Sequence, residues 1–215
     1  MTGALRRVRS AAIVLLVAAP LALAACAGSG YHYVKSSEDK TYFKVPESWK
    51  LYDEESVLSA LKGALSKDEI DQRRETTWTS VFDANPDPSL HHVASKRPNY
   101  PVGRAIVQPL SAEASDGASL QSLRNIFFDV DTALDNGAAT VKTYEPVELA
   151  GGFHGSHLVA NLTDTANTVT INQIAVFDQA TSKVYAISIY CTTACYDKYE
   201  SKIDTVIDSW TVRDS

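Results

Sequence analysis

The sequence lacks an excess of basic residues, a long apolar run and the short motifs that mark common catalytic sites. Basic residues number 20 against 26 acidic ones. The chain therefore offers no broad cationic surface to neutralise the phosphates of a nucleic acid, which we exclude as a partner. Neither a Gly-rich phosphate loop nor a Gly-x-Ser-x-Gly elbow occurs. The lack of these motifs argues against an enzyme.

The first 26 residues have the three parts of a bacterial lipoprotein signal. Arg6, Arg7 and Arg9 form a basic region, residues 11–22 are apolar, and the segment closes on Leu-Ala-Ala-Cys at residues 23–26. The alternatives are an ordinary secretory signal and a short transmembrane anchor. An apolar core of about a dozen residues is too short for the roughly 20 that cross a bilayer. The order and spacing of the three parts favour a lipoprotein signal.

This signal predicts both the processing and the location of the chain. We predict a signal peptide over residues 1–25, a diacylglycerol with palmitate chains on Cys26, a lipidated tether over residues 26–37 and a single domain over residues 38–215. Removal of the signal peptide leaves 17 basic and 26 acidic residues, a net charge near −9. The expected location is the extracytoplasmic face of the cell membrane, and the membrane is a partner through the lipid anchor.

Cys191 and Cys195 are the two cysteines that this processing leaves unlipidated. Their separation of four residues permits a disulfide at a turn that leads into a helix, and an extracytoplasmic compartment lets a disulfide persist. A metal site needs more ligands than this pair supplies, and a redox motif has two residues between its cysteines rather than three. We predict a structural disulfide, for which chain entropy gives roughly 2 kcal/mol at most.

Periodicity predicts a β-hairpin followed by an amphipathic helix near the C-terminus. Strands are predicted over residues 169–177 and 184–191, with a turn between them. A helix that runs to residue 210 follows, and its apolar stripe contains Tyr196, Tyr199, Ile203, Val206, Ile207 and Trp210. Because such a stripe must be buried, we expect the helix to fold back onto the strand face that carries Ile187 and Ile189.

The rest of the chain alternates strands and helices without a repeat. Strands are predicted over residues 41–45, 76–82, 102–108, 141–149 and 158–162, and helices over residues 53–65, 66–74 and 120–134, with a polar loop at 111–117 and a glycine-containing turn at 151–155. The second helix begins with the capping box Ser66-Lys67-Asp68-Glu69. Connections of the hairpin type indicate an α+β fold with an antiparallel sheet of six to seven strands flanked by helices.

Residues 83–101 fit none of these patterns. They contain four prolines, the adjacent His91 and His92, and Tyr100, without a period of 2 or 3.6. A structureless segment of this length is usually mobile or functional. We predict a mobile loop, with contact to a partner as the alternative.

Four stretches of the chain resemble PsbP-like domains. They are Tyr-Phe-Lys-Val-Pro-Glu-Ser-Trp at residues 42–49, the glycine-containing stretch 147–157, the hydrophobic hairpin, and Ile-Asp-Ser-Trp-Thr-Val at residues 207–212. Within that family the chain is most similar to the actinobacterial LpqN-type lipoproteins, which share the cysteine-containing signal. The resemblance implies an α/β/α sandwich and an accessory or binding role at the cell envelope. It supplies no catalytic residues.

Candidate metal and catalytic residues have simpler explanations in the sequence. His154 and His157 are separated by an odd number of positions, which puts them on opposite faces of a strand unless a bulge at Gly155 realigns them. We therefore expect a turn here and no metal or other cofactor. Ser156 is the nucleophile of an alternative function, a serine hydrolase, but the sequence places no base beside it.

Binding is the class of function that remains. The three tryptophans are expected in the core, but one that lined an open edge or a cleft beside residues 83–101 would hold an apolar or amphipathic ligand. The candidate binding residues are Trp49, Trp78, His91, His92, Tyr100, His154 and His157. We predict a non-catalytic binding or scaffolding lipoprotein of the cell envelope, with an envelope protein or a hydrophobic ligand as its partner. A carrier of a hydrophobic small molecule is the other alternative.

Overall fold

The structure is a computed structural model that describes residues 30–164 and 167–213 of the 215-residue chain. The predicted signal peptide and Cys26 lie outside these residues. The strands are β1 (Tyr31–Ser36), β2 (Thr41–Pro46), β3 (Lys50–Tyr52), β4 (Trp78–Asp83), β5 (Val102–Pro109), β6 (Ala139–Leu149), β7 (Phe153–Asp164), β8 (Asn167–Phe177), β9 (Lys183–Thr192) and β10 (Thr211–Val212). The helices are α1 (Glu54–Ala60), α2 (Lys67–Thr76), α3 (Leu90–Val93), α4 (Ala112–Asp116), α5 (Leu120–Arg124), α6 (Val130–Asp135) and α7 (Thr193–Ser209). Among the described helices, none has the length and apolar character that crossing a bilayer requires.

Seven of the strands form one antiparallel sheet in the order β3-β4-β5-β9-β8-β7-β6. Strands β6 to β9 follow one another as hairpins, which is the connection that the sequence indicated. The predicted fold class, α+β with six to seven antiparallel strands flanked by helices, is confirmed. Strands β1, β2 and β10 form a second sheet. This small sheet was not predicted, because periodicity alone does not distinguish β2 from a strand of the main sheet.

Helix α7 packs against β2 on one side and against β8 and β9 on the other. Ile203 and Ile207 are almost completely buried and belong to the same apolar cluster as Ile187 of β9. The predicted packing of the helix onto its own hairpin is therefore what the structure shows. Cys191 and Cys195 lie at disulfide distance where β9 leads into α7, with their Cα atoms 5.9 Å apart.

Short helices cover the opposite face of the main sheet. Helix α1 packs on β4, and α5 packs on β7 and β8. Leu123 of α5 is buried against Ala175 and Ala186 of the sheet. The buried side chain of Gln173 ties α5 to β8, because its Nε2 donates a hydrogen bond to the carbonyl oxygen of Leu123 at 2.9 Å. Layers of helix on both faces give the α/β/α arrangement.

Two expectations for the N-terminal half differ from the structure. Residues 31–36, which the sequence placed in the tether, form β1 and pair with β2 at six positions. Val34 and Ser36 of this strand are buried, so the segment is part of the folded protein. The helix predicted over residues 53–65 ends at Ala60, and Gly63 then adopts a positive φ of 96° that a continuing helix does not permit. The capping box that begins α2 is present as predicted.

The helix predicted over residues 120–134 is in fact two short helices, and the predicted polar loop at 111–117 contains α4. Asn125 ends α5, and its Oδ1 accepts hydrogen bonds from the backbone N–H groups of Val130 and Asp131 at 3.0 and 3.1 Å. The side chain of Asp129 then caps α6. These polar side chains fold the backbone between the helices into a turn, which the apolar periodicity did not reveal.

Strand β7 begins at Phe153 rather than at Leu158, so the glycine-containing turn is shorter than predicted. Gly151 and Gly152 have φ values of 81° and 78° and supply the left-handed backbone of this turn. Gly155 lies inside the strand and has a different role. A Cβ atom at this position would collide with the backbone of Ala175 on the neighbouring β8.

Candidate functional site

A cleft opens on the α5 side of the main sheet, between the segment of residues 83–101 and the end of the β7–β8 hairpin. Its volume is about 540 Å³. The floor contains Arg104 of β5, Tyr190 of β9 and Val169 of β8. The other lining residues are Val93, Ala94, Ser95, Lys96, Arg97, Phe127, Phe128, Asp129, Leu162, Thr163, Asp164 and Asn167. The cleft therefore combines aromatic and aliphatic side chains with a few charged ones, as ligand sites usually do.

The segment of residues 83–101 contains the short helix α3 and forms hydrogen bonds to Asp83 and to the sheet, so it is not structureless, and its mobility stays a prediction. Asp83 is completely buried, and its carboxylate accepts hydrogen bonds from the backbone N–H groups of Asn85 and Ser89 at 2.8 and 2.9 Å. Nδ1 of His92 lies 2.7 Å from Oδ2 of Asp83. A carboxylate only accepts, so the ring donates from Nδ1. The backbone N–H of Thr192 in β9 donates to the carbonyl oxygen of Pro98.

Tyr190 fixes the part of this segment that forms one wall of the cleft. Its hydroxyl lies 2.6 Å from the carbonyl oxygen of Val93 and 3.2 Å from that of Ser95, and it donates to them. Its ring meets the edge of the Phe128 ring, with centroids 5.0 Å apart. Burial raises the pKa of Tyr190, so the hydroxyl keeps the proton that it donates. The wall of the cleft is thus anchored to the central strands of the sheet.

Arg104 is the charged residue of the floor. One of its terminal nitrogens, Nη2, donates to the carbonyl oxygen of Phe127 at 3.3 Å, and its guanidinium carbon lies 4.3 Å from the centre of the Phe127 ring. Burial lowers the pKa of Arg104, because the surroundings disfavour the charged form. Within residues 30–164 and 167–213 the structure records no ion pair between Arg104 and a carboxylate.

The other charged groups of the cleft stand at its rim. Arg97 forms an ion pair with Asp164 that connects the two walls. The carboxylate of Asp129 accepts a hydrogen bond from the backbone N–H of Thr132. The side chain of Lys96 is exposed. The rim therefore carries both signs of charge, and much of it is engaged in contacts within the protein.

A second cavity of about 350 Å³ adjoins the cleft. The two share Val93, Arg104 and Phe127 as a common wall. The second cavity extends under α1, and its apolar lining includes Val57, Leu58, Leu61, Val81, Ile106 and Ile126. Glu54 and Arg73 are its other charged residues, and burial raises the pKa of Glu54.

The cleft and the start of the described chain lie at the same end of the main sheet. Strands β4, β7 and β9 end there, and β5 and β8 begin there. Tyr31 pairs with Pro46, and Lys50, four residues further along the chain, pairs with Asp83 at the end of β4. Tyr31, the first residue of β1, therefore lies toward the end of the fold that carries the cleft.

None of the candidate binding residues predicted from the sequence lines this cleft, but two lie behind it. His92 and Tyr100 face a smaller cavity of about 240 Å³ on the other side of the segment, and the Tyr100 ring packs on that of Tyr199. His91 is exposed. Trp49 is buried in the core, where it stacks on Phe82. Trp78 is partly buried against the same cluster, and Trp210 is buried in it.

The residues around Ser156 face different sides of the main sheet. No bulge is present at Gly155, so His154 and His157 point to opposite faces, as the odd spacing predicted. Nε2 of His157 lies 2.8 Å from Oδ1 of Asn172. Ser156 is 2% exposed, and its Oγ has no hydrogen-bond partner among the described residues. No group of three or more side chains that could hold a metal occurs in the part of the chain that the structure describes.

No protein-family model matches the chain, and no curated protein matches it in sequence. Several solved structures are similar at low identity. CyanoP, the PsbP of the cyanobacterium Synechocystis, is 15% identical with a TM-score of 0.49, and the match covers 91% of this chain and 100% of that one. LpqN of Mycobacterium tuberculosis, described as involved in cell envelope biogenesis, is 12% identical with a TM-score of 0.44, and the match covers 86% and 91%. The Ran-binding protein Mog1p of Saccharomyces cerevisiae is 13% identical with a TM-score of 0.42, and the match covers 85% and 95%.

Identity and TM-scores this low assign neither a family nor a function to the chain.

Sequence reasoning missed the principal residues of the cleft, Arg104 and Tyr190. Arg104 gave one signal, since it shares a strand face with Val102 and Ile106 in a strand that is otherwise mostly apolar. A charged residue on the inward face of a strand is uncommon and can indicate a functional site. Tyr190 gave none, because its alternation fits a core strand equally well.

Proposed function

We propose that the chain is a lipoprotein tethered to the extracytoplasmic face of the cell membrane, where it binds a partner without catalysing a reaction. The observation that carries this proposal is the cleft beside residues 83–101. Its volume of about 540 Å³ lies within the roughly 300–1,000 Å³ of typical small-molecule sites. A wall tied to the sheet by Asp83 and Tyr190 gives the cleft a preformed shape, which lowers the entropy cost of binding. The resemblance to LpqN-type lipoproteins supports the same role at the envelope.

The position of the cleft relative to the tether supports a partner at or in the membrane. Strand β1 begins at Tyr31, five residues after the proposed lipid on Cys26. Five extended residues span at most about 18 Å. The end of the fold that carries the cleft is therefore held within reach of the membrane surface. An amphipathic or apolar molecule that leaves the bilayer has only a short distance to travel to the cleft.

The cleft also favours the carrier of a hydrophobic small molecule as the specific form of this function. An envelope protein that inserts an apolar segment is the other occupant consistent with the same lining. The serine hydrolase is supported less well, because Ser156 is almost completely buried and its Oγ forms no hydrogen bond with His154, His157 or any other described residue.

Native mass spectrometry of the protein released from membranes tests the proposal. We expect a bound amphiphile or, after mild crosslinking, an envelope protein attached to the wall of the cleft. Asn167→Trp should reduce either signal severalfold, because Asn167 lies exposed at the edge of the cleft and an indole there would obstruct it. The matched control is Glu200→Trp, which places the same side chain on the exposed surface of α7, on the other face of the sheet.

Equal signals from the wild type and Asn167→Trp would contradict the proposed site. If neither the wild type nor any variant carries a bound amphiphile or a crosslinked protein, the binding role is contradicted. Labelling by a fluorophosphonate probe that Ser156→Ala abolishes would replace this proposal with the hydrolase.

A further inference from the structure

Arg104 holds a positive charge that no described carboxylate pairs with, and its recorded contacts are with the ring and the carbonyl oxygen of Phe127. Its recorded hydrogen bond goes to one carbonyl oxygen, that of Phe127, whereas a guanidinium has five N–H donors. Burial lowers its pKa, which shows that the folded protein disfavours the charge. A carboxylate or a phosphate is the group that pairs best with a desolvated guanidinium, because two parallel hydrogen bonds match its geometry.

We propose that the cleft binds an amphiphile with a singly charged anionic head, a carboxylate or a phosphate diester, and that Arg104 pairs with this head. The inference rests on the proposed binding function and assigns the chemistry of the ligand and the residue that selects it.

The charges around the cleft favour one negative charge over several. Arg97 is already neutralised by Asp164, so its charge is not available to a ligand. Asp129 adds a negative charge to the rim, and Lys96 adds a positive one. Arg104 is then the charged residue of the floor, and no ion pair of the described residues includes it. A ligand with several negative charges would be repelled by Asp129 and by a chain with a surplus of acidic residues.

The apolar lining requires that the ligand has an alkyl or similar body. Phe127, Phe128 and Leu162 are partly exposed in the walls of the cleft. The adjoining cavity of about 350 Å³ continues the apolar surface beyond Arg104, toward α1. A small inorganic anion would pair with Arg104 but would leave these surfaces in water. An amphiphile covers them, and each methylene group that it buries there adds favourable transfer free energy.

Binding of matched C12 amphiphiles to the full chain tests the head group. The protein is released from its detergent micelle in native mass spectrometry after titration with dodecanoate, dodecyl methyl phosphate, dodecanol or dodecylamine, and with inorganic phosphate in a separate arm. We expect dodecanoate and the phosphate diester to bind at least about 10-fold more tightly than dodecanol or dodecylamine, since charge-assisted hydrogen bonds are lost with the neutral and cationic heads. Inorganic phosphate should give no adduct at the same concentrations.

The Arg104→Gln variant tests whether Arg104 binds the anionic head group. It should weaken binding of dodecanoate by about 10-fold or more and leave that of dodecanol within about 3-fold, because the variant removes the charge and keeps the apolar walls. Arg104→Lys should restore part of the loss. The matched control is Lys202→Gln, which removes an exposed cation from α7, on the other face of the sheet, and it should change dodecanoate binding by less than about 3-fold.

The melting temperature of Arg104→Gln separates a ligand-binding residue from a structural one. It should equal or exceed that of the wild type without ligand, because the substitution removes a desolvated charge that lacks a counter-ion. If this variant does not fold, Arg104 is structural and the assignment fails.

Three results would overturn parts of this inference in different ways. Equal affinities of dodecanol and dodecanoate would refute the anionic head but leave the cleft as an apolar binding site. Full binding of dodecanoate by Arg104→Gln would refute the role of Arg104. Absence of adducts with all four amphiphiles would refute the small-molecule form of the proposed function together with this inference.

Discussion

At the scale of single residues, a buried chain of polar side chains connects the main sheet to α7. Nδ2 of Asn172 donates to the hydroxyl of Tyr196 at 2.9 Å, and Oδ1 of Asn172 faces Nε2 of His157. Asn172 and Tyr196 are both almost completely buried. Sequence reasoning identified Tyr196 as a member of the apolar stripe and considered His157 as a metal ligand. It could not pair them, because their contact depends on the register of β7, β8 and α7.

Tyr196 should make the stability of the protein depend on pH in the alkaline range. Burial raises the pKa of Tyr196 to about 12, against the opposing effect of the hydrogen bond from Asn172. The folded state therefore holds this proton more tightly than the unfolded state, where the pKa is about 10. The stabilising contribution is complete below pH 10 and is lost as the pH rises from about 10 toward about 12. In Tyr196→Phe the free energy of unfolding should fall less steeply across this range.

Urea unfolding at pH 8, 10 and 11 measures this difference. At pH 8 the Tyr196→Phe variant should be less stable by about 1 kcal/mol, because Asn172 loses a buried hydrogen-bond partner. The control is Tyr33→Phe, which removes the hydroxyl of a side chain that is 69% exposed. It should follow the wild type at every pH. Parallel curves for the wild type and Tyr196→Phe would show that the buried hydroxyl does not govern the alkaline loss of stability.

At the scale of secondary-structure elements, the sequence predicted apolar faces well and predicted breaks poorly. The residues over 120–134 have helical periodicity, and both Leu123 and Val130 are buried as that periodicity requires. The break between α5 and α6 comes from Asn125 and Asp129, whose side chains bond to nearby backbone N–H groups. Asn and Asp do this often, so the signal was present. Periodicity outweighed it because apolar residues recur at helical spacing on both sides of the break.

Docking of α7 is the element-scale contact with the largest expected effect on stability. Ile203 is completely buried in the cluster between the two sheets. Ile203→Asp should lower the free energy of unfolding by several kcal/mol, because a lone charge would be buried without a partner. Lys202→Asp puts the same side chain on an exposed position one residue earlier and should cost about 1 kcal/mol or less. Urea unfolding measures the free energy of unfolding of both variants. If the two variants lose similar amounts of stability, α7 is not docked as described.

At the scale of the whole molecule, what could be predicted depends on how far apart in sequence the contacting residues lie. The hairpin of β8 and β9 and helix α7 were predicted because their patterns are local. The cleft joins Val93, Arg104, Leu162 and Tyr190, which are distant in the chain. Neither propensity nor periodicity predicts that these residues lie close together, because their proximity follows from the strand order β5-β9-β8-β7. The sequence nevertheless indicated where to look, since residues 83–101 were the alternative site of contact with a partner.

The attachment of the whole molecule to the membrane is predicted to depend on Cys26. Two acyl chains hold a protein on a bilayer stably, whereas one chain gives only marginal binding, because each buried methylene group contributes about 0.8 kcal/mol. Intact-mass measurement of the wild type should show a chain that begins at Cys26 and carries the lipid. Cys26→Ser should carry no lipid and should not be cleaved before residue 26, while Ser29→Ala, three residues further along, should be processed as the wild type is. Because β1 begins at Tyr31, neither substitution should change the melting temperature of the folded part. An unmodified Cys26 in the exported wild type would refute the anchor while leaving the cleft and its ligand to be tested on their own.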